Sequence, residues 1–175
     1  MTSSGVLTSD NFAQVFGVFP GDKYKHASYG NIARVLWAET GASGGYEFVR
    51  RLVFSVLIGN ADMHLKNWSL LYPDTRTPML SPAYDFISTI PYIPGDRLAL
   101  SFGGTKEIHG ITIDQLRRLA DKGGMPTNPI LRVAEETIQK TVEAWNTLPA
   151  KDLLPADIAR IIHTQIETAA AQSIL

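Results

Sequence analysis

"IGNADMHLKNWSLL", from Ile58 to Leu71, sets an acid, an imidazole, an ammonium and two amides between two apolar segments. Asn60, Asp62, His64, Lys66 and Asn67 all fall within eight residues. Upstream, Phe48, Val49, Leu52, Val53, Val56 and Leu57 form one broad apolar stripe, with Arg50 and Arg51 on the other side. That periodicity predicts an amphipathic helix over Tyr46–Leu57, and Gly59 is a natural stop. Downstream, "WSLLY" (Trp68–Tyr72) reads as a short strand, "PDTRTP" as turn chemistry, and "MLSPAYDF" as a second short strand or extended segment. The polar stretch is therefore a loop between a helix and a small hairpin.

The rest of the chain is helical in pattern. Ser9 and Asp10 are candidate caps for a helix carrying Phe12, Val15 and Phe16, with no strand expected before Phe12. "FPGDKYKHASYG" (Phe19–Gly30) reads as loop. Asn31 caps a second helix with Ile32, Val35 and Leu36, stopping at Gly41, and "GASGG" reads as a turn. After the hairpin, "STIPYIPGD" is Pro-rich loop and "RLALSF" (Arg97–Phe102) a candidate strand, ended by Gly103 and Gly104. Thr112 and Gln115 have capping-box spacing before another helix. Asn128 and Pro129 suit the N-cap and first position of a long helix, and a last helix begins near Pro155. The expected fold class is mainly α with a small β-hairpin insertion, in one domain over residues 1–175.

Composition narrows the chemistry. The chain has 175 residues, 45% hydrophobic and 19% charged, which is ordinary for a globular domain. A formal net charge of −1 gives no global pull toward nucleic acid or acidic membranes. The absence of cysteine removes disulfides, thiolate nucleophiles and Cys-based zinc sites, and fits a cytoplasmic protein. The N-terminus shows no secretory signal, and no apolar run reaches the roughly 18–20 residues of a membrane helix.

The loop has a specific chemical use. In phosphoryl transfer by protein kinases, a loop Asp accepts the proton of the attacking hydroxyl, and an Asn five residues later binds Mg²⁺. A second Asp, reached through a short hairpin, holds the metal that bridges the ATP phosphates. Asp62, Asn67 and Asp85 stand in that order and context. Lys66 is placed to steady a phosphoryl group as a point charge. His64 is read as bracing the loop by a hydrogen bond. Each residue also has a bland reading: Asn60 as a left-handed residue at the helix end, Asp85 as a turn former. Other clusters rank lower. "SFGGTKE" lacks the full phosphate-loop pattern. His26, His109 and His163 show no metal spacing. Trp37, Trp68 and Trp145 sit on apolar faces, and Arg117, Arg118 and Lys122 read as a solvated face.

"NADMHLKNWSLL" followed by "LSPAYDF" resembles the HipA family of serine/threonine kinases, the toxin partners of HipB-type antitoxins. "DNFAQVFGV", "KYKHASYGNIARVL" and "FVRRLVFSVLIGN" resemble the helices before the family's catalytic loop. The resemblance runs from about Asp10 to Leu148. It implies the C-terminal, helical lobe of a protein-kinase-like fold, with ATP and Mg²⁺ as cofactors. It implies Asp62 as catalytic base and Asn67 and Asp85 as Mg²⁺ ligands in the nucleotide site, with His64 and Lys66 as further catalytic-loop positions. It also implies a protein substrate with a serine acceptor, an aminoacyl-tRNA synthetase being one kind of target. A HipB-like antitoxin is the implied partner, with DNA reached only through it.

The family's N-terminal lobe has no counterpart in this sequence, so weak activity is expected of the chain alone. An open apolar groove around Asp62 and Asp85, able to pair with a second copy, is expected too. Two other readings compete. Aminoglycoside-type kinases share the Asp and the later Asn, but carry His-Gly before the Asp where this chain has Gly59, Asn60 and Ala61. A non-catalytic scaffold for an antitoxin or DNA complex is the third.

Overall fold

The computed structural model describes residues 8–17 and 27–172. Most of the loop read over 19–30 lies outside the described residues, as does His26.

The first element corrects the sequence reading. Ser9 and Asp10 are not helix caps. They lie in a strand, β1 (Thr8–Asn11), ahead of a single-turn helix, α1 (Phe12–Val15). Asn11 caps that helix, accepting from the Gln14 N–H in a capping box. β1 exists because it has a partner 60 residues away. It runs antiparallel to β2 (Ser69–Tyr72), in register from Thr8↔Tyr72 to Asn11↔Ser69. β2 pairs in turn with β3 (Met79–Leu80), through Leu70↔Leu80 and Leu71↔Met79. The expected hairpin is present, and β1 widens it to a three-stranded antiparallel sheet of order β1-β2-β3.

A 29-residue helix, α2 (Tyr29–Leu57), is the spine. Its N-cap is Ser28, whose side chain accepts from Asn31 N, so Asn31 lies inside the helix. The predicted stop at Gly41 survives only as a kink: that residue leaves helical geometry at φ 62, ψ −150. The rest of "GASGG" is helical, not a turn. Gly44 and Gly45 are buried where a Cβ would overlap Thr40 and Trp37, so these glycines permit close packing across the kink.

Three helices pack against the spine: α3 (Ile113–Gly123), α4 (Thr127–Thr147) and α5 (Ala156–Gln172). The capping box of Thr112 and Gln115 opens α3 as expected, and left-handed Gly124 closes it. α4 begins one residue before the predicted Asn128 cap, with Pro126 at the cap position. "RLALSF" forms no strand. Leu98, Leu100 and Phe102 are buried in alternation as a strand's would be. Its neighbours offer only single bonds, Ala99 N–H to Ala61 O and Leu98 N–H to Lys106 O, and isolated bridges from Ser101 and Phe102.

The core gathers Phe12, Tyr29, Ile32, Leu36, Phe48, Leu52, Val56, Phe102 and Leu116, all fully buried. Buried Gln165 of α5 reaches into it, donating to Val56 O at 3.0 Å and Ile108 O at 2.9 Å. Its side-chain amide thereby adds a second donor to a carbonyl of the last turn of α2, which also accepts the Gly59 N–H at 3.1 Å. No described helix is long and apolar enough to cross a membrane.

Gly59, at φ 72, turns the chain out of α2, and a Cβ there would overlap Ile90. Gly59→Ala is therefore expected to cost about 1–3 kcal/mol of folding free energy, read by urea denaturation.

In the β2–β3 turn the Thr77 hydroxyl and the Thr77 and Arg76 N–H groups donate to Asp74. They lower its pKa from 3.8 to about 2. A depressed carboxylate stabilises the fold above its unfolded pKa and loses that contribution as pH falls through the folded value. The Asp74 carboxyl carbon should titrate by NMR with a midpoint near 2. A midpoint at the ordinary value would mean the turn does not hold in solution.

Candidate active site

The opening stretch answers its own question by alternation. Ala61, Met63 and Leu65 are buried at 1%, 2% and 0% exposure, while Asp62 and Lys66 are exposed and His64 is half-buried. The odd residues anchor the loop in the core; the even ones are left at the surface. Leu65–Asn67 then winds one 3₁₀ turn, after which Trp68 is buried and stacks edge-on against Phe48 at 4.7 Å.

Backbone bonds rigidify the loop from below. The Tyr29 hydroxyl donates to Met63 O at 3.0 Å from within the core. Burial pushes this phenol well above its ordinary pKa; the Leu100 backbone pulls the other way, and the charge of Asp62 adds a smaller upward push. Thr89 accepts the Ala61 N–H at 2.9 Å, and its hydroxyl has Gly59 O and the Asp96 carboxylate as acceptors at 3.3 and 3.2 Å. The Ala99 N–H donates to Ala61 O.

The three residues singled out by their order are joined through hydrogen bonds. Asn67 Nδ2 donates to Asp62 O at 2.8 Å, which leaves Oδ1 without a hydrogen bond among the described residues. Asn60, 2% exposed, accepts the Asp62 N–H on Oδ1 at 3.1 Å and donates from Nδ2 to Asp85 O at 3.3 Å. Asn60 is not the left-handed residue the sequence admitted; Gly59 is. Asp85 is exposed and itself left-handed at φ 58, a conformation that Asp tolerates better than most residues and that draws attention to the position. Its approach is pinned by Arg51, which donates to Ser81 O at 2.6 Å and pairs with Glu47 at 2.8 Å.

The His64 ring does not brace the loop as expected. Nδ1 is buried without a hydrogen-bond partner among the described residues, and Nε2 lies 3.9 Å from Asp62 Oδ1. The bracing is done by backbone, His64 N–H to Asp62 O and Asn67 N–H to His64 O. Lys66 is exposed, and its carbonyl accepts the Tyr84 hydroxyl at 2.7 Å. Sequence reasoning missed Tyr84, Tyr29 and Thr89, and gave Asn60 only a helix-end reading. The only signal available was a polar Asn60 flanked by Gly and Ala at a helix end.

No group of three or more His, Cys, Asp or Glu residues able to hold a metal lies among the described residues. An open groove of about 520 Å³ adjoins the Asp85 segment, lined by Phe54, Ala83, Tyr84 and Phe86 with Glu47, Arg50, Arg51 and Thr137. Neither Asp62 nor Asp85 lines it, so the groove expected around the two acids lies instead against their neighbours Ala83, Tyr84 and Phe86. Ile87, Tyr92 and Ile93 stand exposed just beyond.

A family model for the HipA-like C-terminal domain matches residues 6–145, and the chain belongs to that family. It is 48% identical over 168 residues to Y4dM of Sinorhizobium fredii, a protein named as a candidate kinase, covering 95% of this chain and 41% of that one. A second such protein of the same organism, Y4mE, is 29% identical over 167 residues, covering 90% of this chain and 39% of the other. Among solved structures, the complex of Shewanella oneidensis HipA, HipB and operator DNA contains a chain that superposes with a TM-score of 0.80 at 19% identity. The match covers 99% of this chain and 46% of that one. The fold is thus the kinase-like fold of HipA, and the chain spans less than half the length of these relatives.

Thr89 is the polar support under this loop. Thr89→Val should leave the Ala61 N–H buried without its acceptor and cost about 1–3 kcal/mol. Thermal unfolding beside the unaltered chain measures it.

Proposed function

We propose that this chain is the catalytic-loop lobe of a HipA-like serine/threonine protein kinase, dependent on ATP and Mg²⁺. The observation that carries the reading is the hydrogen-bonded joining of Asp62, Asn67 and the Asp85 segment through Asn60. An exposed acid, a nearby amide oxygen and a second exposed acid are the donor set such a transfer uses. The family membership and the names of the relatives support the same class.

Asp62 is the general base. It is more than half exposed, as a group must be to take a proton from an incoming seryl hydroxyl, and its backbone is held at both N–H and C=O. Asn67 Oδ1 and the Asp85 carboxylate would hold Mg²⁺. They are hard oxygen donors and too few for tight binding alone, which fits an ion that takes one or two carboxylates and completes its shell with phosphates and water. When bound, the ion neutralises charge on the phosphates. Lys66, one residue before Asn67, adds a mobile positive charge at the rim. His64 lies beside Asp62 at 3.9 Å and shapes its surroundings. The serine acceptor belongs to a protein, and a HipB-like antitoxin is the proposed partner, since the HipA of the Shewanella complex is bound to HipB and operator DNA. DNA would be met through that antitoxin. Exposed Ile87, Tyr92 and Ile93 form the surface turned toward the rest of a longer kinase, or toward a second copy. The setting is cytoplasmic.

The test is phosphoryl transfer from Mg-ATP, measured on this chain alone and on a longer form with the further half its relatives carry. The chain alone should be weakly active. In the longer form, Asp62→Asn should lower kcat by about 10²–10⁴-fold with the fold intact. Retention of most activity would place the base elsewhere.

A further inference from the structure

Between Ser81 and Thr89 the chain crosses the face of the site. Both ends are fixed by backbone: Ser81 N–H donates to Ser69 O, and Thr89 N–H to Gly59 O. Among the described residues, no backbone–backbone hydrogen bond joins 82–88 to the loop 60–67. Two side chains join them instead. Asn60, buried beneath, spans Asp62 N–H and Asp85 O. Tyr84, at the surface, donates its hydroxyl to Lys66 O at 2.7 Å and lies 2.6 Å from Ser69 Oγ, which with that proton committed must be the donor to it. Phe86 adds a ring contact to Phe54 of α2 at 5.9 Å.

We propose that Asn60 and Tyr84 are positioning residues that set the spacing between the base, Asp62, and the metal-binding acid, Asp85. The catalytic consequence rests on the kinase reading; the geometry does not. A primary amide is the side chain suited to the Asn60 position. It must accept from one backbone N–H and donate to one backbone C=O at once, as a peptide group does in a sheet. Asp in its place would set a carboxylate against Asp85 O, and Ala would leave both groups unpaired. The amide thus supplies one rung of ladder between segments that do not pair directly, attached at the two residues that carry the carboxylates. Tyr84 adds a second tie on the outer side, one residue from Asp85. Left-handed Asp85 sits between the ties, where a conformation that Asp seldom adopts needs outside support.

The experiment uses Asn60→Ala, Tyr84→Phe and the double variant. Tyr84 is 40% exposed, so its substitution spares the fold if Asn60→Ala does not. Amide exchange by NMR on this chain should rise at Asp62 for Asn60→Ala and over 83–88 for both, with α4 unchanged. Mn²⁺ affinity in the presence of ATP, read by electron paramagnetic resonance, should fall about 10- to 100-fold for Asn60→Ala and less for Tyr84→Phe. Binding of ATP without metal should be unaltered. In the longer form, kcat should drop and the metal half-saturation rise, with KM for the acceptor unchanged. Folded variants with unaltered exchange overturn the proposal. So do variants that exchange faster yet bind Mn²⁺ as before, because the ties would then hold backbone without setting the site. If Asp62→Asn leaves transfer intact, the kinase reading falls, while exchange and Mn²⁺ affinity still decide the positioning.

Discussion

The anchoring of Ala61, Met63 and Leu65 in the core is the constraint from which the site follows. An extended backbone puts alternate side chains on opposite sides. Once three apolar residues at every second position are buried, Asp62 and His64 have only the outer side left. The entropy of ordering so polar a loop is offset by burial beneath it and by bonds to its backbone from Tyr29, Thr89 and Asn60. None of these supports depends on the charged groups. The chain can therefore hold an acid, an imidazole and an ammonium within a few residues of one another, with Asp62 and Lys66 left exposed and the His64 ring half-buried beside Asp62.

What could be read from the sequence was local. The order of Asp62, Asn67 and Asp85 stood out because it sits in one loop and the hairpin after it, and the structure ties the three together through Asn60. The capping box at Thr112 was legible because its partners lie three residues apart. Misreadings arose where a partner is far along the chain. "TSDN" looks like helix-cap chemistry and becomes a strand only because β2 lies beside it. "RLALSF" has a strand's alternation but neighbours that offer single bonds. The glycines 41–45 have two uses, breaking a helix and letting helices approach; the structure uses Gly41 for the first and Gly44 and Gly45 for the second. Asn60 was noticed but misread for the same reason. Its role is a bridge to residue 85, and nothing within a few positions of it announces that contact.

The sheet and the helices divide the labour. β1 and β3 flank β2, whose first residue follows Trp68, so the exit of the loop is held by strand pairing and by an aromatic contact to α2. The entrance is held by helix packing and the turn at Gly59. Arg51 links the two, since it stands on α2 and grips Ser81 at the end of β3. Asp85 inherits its place from both.

Gln165 gives this arrangement an order in time. It binds Val56 O across 109 residues, and Ile108 O across 57. During synthesis at about 5–20 residues per second, the helix that leads into the loop leaves the ribosome some 5–20 seconds before its Val56 carbonyl meets that amide. Over that interval Val56 O has the local Gly59 N–H but not its long-range partner, and the loop beyond it rests on an unfinished support. The support beneath the 60–67 loop is thus completed late, when α5 docks and Gln165 reaches the end of α2.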